Sequence, residues 1–126
     1  MAEAAVVTRG WFAVALSSEV TDEPLEVWLH DTPWMLMREG EHVVAFVDQC
    51  PHRAYPLSAG TVCADGTLQC GYHGWRFDLS GTCVAIPALD PALPIPSRAN
   101  LQPAAGIIES GGLVWIAPSD LSLIHI

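Results

Sequence analysis

Two short segments carry the residue types that could do chemistry: Cys50-Pro51-His52-Arg53 and Cys70-Gly71-Tyr72-His73-Gly74-Trp75. Each offers one thiol and one imidazole within a few residues, and seventeen residues separate His52 from Cys70. Two thiolates with two imidazoles form a soft donor set, suited to zinc, copper or an iron–sulfur cluster and not to magnesium or calcium. A single tetrahedral zinc usually takes like ligands in pairs, two cysteines or two histidines sharing one turn. Here each pair is mixed, with gaps of one and two residues. That pattern suits a two-iron cluster in which one iron takes both thiolates and the other both imidazoles.

The elements that must position these segments are short. Ten Gly and ten Pro among 126 residues argue for many turns and few long helices. Trp11–Leu16 reads as a first strand, followed by the polar connection Ser17–Pro24. Leu25–His30 alternates as a strand, and Asp31-Thr32-Pro33 breaks it. Three hairpins follow, with strands flanking Glu39-Gly40-Glu41, Ser80-Gly81 and Ser110-Gly111-Gly112. No window of helical length keeps a 3.6-residue period free of Pro or Gly. The expected fold class is all-β, a stack of small antiparallel sheets. Two tight loops at the tips of two hairpins would face each other and supply the four ligands. Five prolines between Pro87 and Pro103 exclude a central strand there and predict a long, stiff surface loop.

Composition narrows the partners. A 126-residue chain is the size of one domain, and 51% hydrophobic against 15% charged residues excludes wholesale disorder. Five arginines and no lysine against fourteen acids give a net charge of −9, which repels nucleic acid and anionic membrane surfaces alike. The apolar runs are too short to span a bilayer. Met1–Thr8 carries Glu3, no early positive charge and no apolar stretch leading to a small-residue cleavage site, which reads as the absence of a signal peptide, so the expected setting is cytoplasmic and the four cysteines are expected as thiols or ligands.

The ligand segments come with distinctive flanks: Pro56-Leu57-Ser58-x-Gly60 after the first, and x-Phe77-Asp78 with Gly81-x-Cys83 after the second. Together they resemble the Rieske [2Fe–2S] domain of the non-haem iron ring-hydroxylating oxygenases, at the N-terminus of the large subunit. The likeness runs from about Gly10 to Ser119 and includes Gly10-Trp11-Phe12 and Gly112-Leu113-Val114-Trp115-Ile116. It implies a Rieske-type stack of sheets with two cluster-binding loops and a proline-rich loop, from Pro87 onward, over the cluster's third side. Cys50 and Cys70 would hold the buried iron, and His52 and His73 the outer iron, where the added electron would reside. High-potential members carry a disulfide between the two loops and a serine hydroxyl bonded to the cluster. Tyr55, Tyr72 and Trp75 stand at those positions, which implies the low-potential type.

The resemblance also implies partners: a flavin- or ferredoxin-type reductase as electron donor, and a mononuclear-iron catalytic domain as acceptor. That catalytic domain has no counterpart in this chain. Residues 1–126 therefore read as a single Rieske domain with its core at about 10–119, not expected to be catalytic alone. Its setting would be an aromatic-ring-hydroxylating or O-demethylating oxygenase component. The alternatives are a stand-alone Rieske ferredoxin feeding an oxygenase and a structural Cys2His2 zinc module.

Other residues receive plainer readings. Cys63 and Cys83 read as small buried apolar side chains. His30, His42 and His125 read as surface or packing residues. Trp11, Trp28, Trp34 and Trp115 are assigned to the core by their strand context. Trp75, beside a ligand loop, would shield the cluster from water. Tyr72 is a candidate hydrogen-bond donor near the cluster, and Arg53 and Arg76 either neutralise its reduced charge or solvate a loop.

Overall fold

The computed structural model describes residues 10–51 and 55–118, and among these there are ten strands and no α-helix. The strands are β1 (Phe12–Leu16), β2 (Leu25–Leu29), β3 (Thr32–Glu39), β4 (His42–Val47), β5 (Thr61–Val62), β6 (Leu68–Gln69), β7 (Arg76–Phe77), β8 (Cys83–Ala85), β9 (Gly106–Ser110) and β10 (Leu113–Ala117). They form three antiparallel sheets, ordered β1-β10-β9, β2-β3-β4 and β5-β6-β7-β8. The all-β expectation holds.

β3 explains how the sheets stack. Four consecutive residues, Trp34 to Met37, are buried, although successive side chains of a strand point to opposite faces. Trp34 and Leu36 enter one apolar cluster with Val114 and Ile116 of β10. Met35 and Met37 enter another with Leu68 of β6 and Phe77 of β7. β4 divides in the same way, Val43 and Ala45 to the first cluster and Phe46 to the second. The β2-β3-β4 sheet is thus the middle layer, covered on both faces over β3 and β4.

Turn chemistry sets the strand ends. β2 and β3 are joined by His30-Asp31, both left-handed at φ 49° and 65°, which suits the twist of a two-residue hairpin. The break expected over Asp31-Thr32-Pro33 is therefore earlier and tighter, and Thr32 and Pro33 belong to β3. Pro33 is tolerated near the strand's start, and its carbonyl accepts the Asp48 N–H at 2.9 Å. His30 packs its ring edge-on to Phe12 at 5.0 Å.

Three further expectations need correction. The first ligand segment does not tip a hairpin: it leaves β4, whose partner is β3, and leads to β5, whose partner is β6, so it crosses between sheets. The proline-rich stretch is not all surface. Its Ala99 and Leu101 are buried in the second cluster, and the Leu101 N–H donates to the Gly81 carbonyl at 2.8 Å. Of the four tryptophans assigned to the core only Trp34 is fully buried, whereas Trp11 and Trp28 are 41% and 63% exposed. Trp28 lies on the open face of edge strand β2, its N–H donating to Glu26 Oε1 at 3.2 Å.

Candidate metal centre

The second ligand segment is the loop between β6 and β7. The Cys70 N–H donates to the Trp75 carbonyl at 2.8 Å, and the Gly74 N–H donates to the Cys70 carbonyl at 3.1 Å. Gly74 closes this turn at φ +76°, a conformation that a side chain would strain, directly after His73. Cys70 is buried, while Tyr72 and His73 are exposed. Trp75 is half-buried and packs on the cluster that holds Cys70.

The first segment repeats the device. The Cys50 N–H donates to the Tyr55 carbonyl at 2.8 Å, the same five-residue step, and Cys50 is as buried as Cys70. His52 and Arg53 lie outside the described residues. Both cysteines belong to one apolar cluster with Met35, Leu57, Leu68 and Phe77.

The two loops meet through several contacts. The Tyr55 and Tyr72 rings are stacked with centroids 5.7 Å apart, and the Tyr72 ring meets the His73 imidazole edge-on at 4.1 Å. A Cβ on Gly71 would lie 3.4 Å from Tyr55 Cε1, so the tyrosine rests against the second loop's backbone. At the end of the first loop, Gly60 sits so close to β6 that a Cβ would overlap the Gln69 carbonyl oxygen. Pro87 flanks the second loop from the other side, with Cγ 3.5 Å from where a Gly74 Cβ would be.

Two buried thiols and one exposed imidazole form a soft, asymmetric donor set that suits iron–sulfur chemistry. Cys50, Cys70 and His73 are not gathered round one point: among the described residues no three His, Cys, Asp or Glu side chains converge as ligands of one ion. The remaining candidates stand elsewhere. Cys83 is buried, and that burial pushes its thiol pKa up. The half-buried Cys63 thiol donates to Gln69 Oε1 at 3.5 Å. Arg76 is engaged by Asp65 at 2.8 Å and by Thr67. His42 is exposed at the start of β4, and His125 lies outside the described residues.

Sequence reasoning missed Asp48 and Ser58. The Asp48 carboxylate, 1% exposed, accepts the Ser58 N–H at 2.7 Å and the Ser58 hydroxyl at 2.6 Å. Ser58 stood within a recognised flank, but nothing local marked Asp48.

Comparison with known proteins identifies the family. The model of the Rieske [2Fe-2S] domain family matches residues 10–103. The oxygenase component of dicamba O-demethylase from Stenotrophomonas maltophilia is 40% identical over 118 residues, covering 93% of this chain and 34% of the relative. Pheophorbide a oxygenase, chloroplastic, of Oryza sativa subsp. japonica is 37% identical over 119 residues, covering 87% of this chain and 22% of the relative. A crystal structure of apo dicamba monooxygenase superposes with a TM-score of 0.81 at 39% identity, over 93% of this chain and 35% of that one. The chain thus spans about a third or less of the length of these relatives. Among the described residues no helix is long and apolar enough to cross a membrane. With a family model over most of its length and the loops built as described, the chain belongs to the Rieske [2Fe–2S] domain family.

Proposed function

We propose that Cys50, Cys70, His73 and His52 hold the [2Fe–2S] cluster, and that the domain carries single electrons to the catalytic iron of an oxygenase. The observation that supports this most is the division of access. The two thiols are each 2% exposed within one apolar cluster, whereas His73 on the same loop as Cys70 is exposed. When bound, a cluster of this kind takes up and releases one electron. Buried thiolates keep water from the sulfur side, and Trp75 and Leu57 close the apolar wall. The His73 imidazole presents an edge to the surface, where a redox partner can approach.

The names of the relatives support a reading in which the domain works within a larger oxygenase. The domain would be the electron-carrying part of an aromatic-ring-hydroxylating or O-demethylating component. A flavin- or ferredoxin-type reductase would be its donor and a mononuclear-iron domain its acceptor. Residues 1–126 would form one Rieske domain. A cytoplasmic setting accords with four cysteines that stand outside any disulfide among the described residues.

Alanine substitution of each ligand tests the assignment. Cys50→Ala, His52→Ala, Cys70→Ala and His73→Ala should each abolish iron and sulfide binding and lower stability, because binding energy at such a site is also folding energy. Cys63→Ser should keep full iron and sulfide content. Full occupancy in the His52→Ala or His73→Ala protein would overturn the assignment.

A further inference from the structure

Asp48 is the one buried charged side chain among the described residues. Burying a carboxylate is costly unless charge-assisted hydrogen bonds offset it. Both of its oxygens are used on one residue, Oδ1 on the Ser58 N–H and Oδ2 on the Ser58 hydroxyl.

The span of this contact sets it apart from the other Asp turns of the molecule. Asp65 accepts from Thr67 and Asp78 from Ser80, each two residues on and solvent-exposed, closing local turns. Asp48 instead reaches ten residues forward, and the enclosed segment contains Cys50 and position 52. Its two ends are both anchored. The Asp48 N–H donates to Pro33 of β3, and Ser58 sits in the 3-10 turn Leu57–Ala59. Leu57, fully buried, packs in the same cluster as both thiols.

We propose that Asp48 is a positioning residue for the metal centre: by clasping Ser58 it fixes the start and end of the first ligand loop, and with them Cys50, against the second. This rests on the reading that these loops hold an iron–sulfur cluster. A carboxylate that only stabilised the fold would affect unfolding but not the ligand geometry. One that sets the loop must also change how the cluster is held.

The test uses the full chain reconstituted with iron and sulfide, comparing Asp48→Ala, Asp48→Asn, Ser58→Ala and Val114→Ala with the parent. Val114 is buried in the other core cluster, so its truncation destabilises without touching the loops. Cluster release to a chelator and the EPR line positions of the reduced protein are the readouts. Asp48→Ala should release the cluster about 10- to 100-fold faster and shift the EPR lines. Ser58→Ala, which keeps one of the two bonds, should show a smaller change in the same direction. Asp48→Asn, able to accept the N–H and donate to the hydroxyl oxygen, should restore much of the parent behaviour. Val114→Ala should lower the melting temperature but leave both readouts in place. Release rates and EPR lines in the Asp48→Ala protein that match the parent, or that match Val114→Ala, would overturn the proposal. If Asp48→Ala fails to fold, Ser58→Ala decides on the same readouts. A parent protein that takes up no iron and sulfide would overturn the proposed function and this inference together, an outcome distinct from a loaded parent with unaffected variants.

Discussion

The rings of Tyr55 and Tyr72 lie nearly parallel, 9° apart with centroids separated by 5.7 Å, and so tie the two ligand loops together without a covalent bond. These are the positions at which high-potential relatives are expected to carry a disulfide. An offset stack is worth about 0.5–1.5 kcal/mol beyond the area it buries, less than the roughly 2–4 kcal/mol of a typical disulfide. The inter-loop tie is therefore weaker and needs no oxidant.

From this it follows that Tyr72→Ala should destabilise the folded protein by about 1 kcal/mol, while Tyr72→Phe, which keeps the ring, should remain near the parent. A double-mutant cycle with Tyr55→Ala, followed by thermal or denaturant unfolding, isolates the pair. A coupling energy indistinguishable from zero would show that the stack is incidental.

The approach of the loops depends equally on Gly60. A methyl group there would overlap the Gln69 carbonyl oxygen and crowd that of Leu57, and both obstacles are backbone that cannot swing aside. Gly60→Ala should cost about 1–3 kcal/mol and should also weaken cluster retention, since Gln69 precedes Cys70. Unchanged stability in that variant would mean the two segments are free to separate.

Stability should respond to pH with two opposing contributions. The Ser80 hydroxyl, followed by backbone N–H donors, holds the Asp78 carboxyl below its ordinary range, and Thr67 does the same to Asp65. Depressed carboxylates contribute stability above their unfolded pKa of about 3.9, and that contribution is lost as pH falls through the folded value. Glu26 behaves oppositely. Its hydrogen bond to Asp48 raises its pKa, against the smaller pull of the Trp28 N–H. Its contribution is present below about pH 4.3 and is lost as pH rises through the folded value. Glu26→Gln mimics the protonated form, so its stabilising effect should be near zero at pH 4 and positive at pH 7. Thermal unfolding at both pH values checks this, and an equal effect at the two would contradict it.

Much of this is legible in the sequence, for identifiable reasons. Metal chemistry restricts both residue type and spacing, so Cys50, His52, Cys70 and His73 stand out by their order along the chain. Gly40 and the Gly111-Gly112 pair mark hairpin turns because all three adopt left-handed φ. β5 and β6 are illegible because two residues cannot display a period. The burial of Asp48 depends on Ser58 ten residues away and on Pro33 of another strand, neither of which a local pattern contains. Trp11 and Trp28 mislead because an apolar residue just before or on an edge strand has the same sequence signature as one in the core.

A two-iron cluster with mixed thiolate and imidazole ligation is the feature on which all of these expectations depend. EPR spectroscopy of the purified, reduced chain, with iron, sulfide and zinc content measured on the same sample, tests it most directly. The expected result is a coloured protein with two irons and two sulfides per chain, whose reduced form has a mean g value below that of the free electron. A colourless protein with one zinc per chain and no such signal would contradict it.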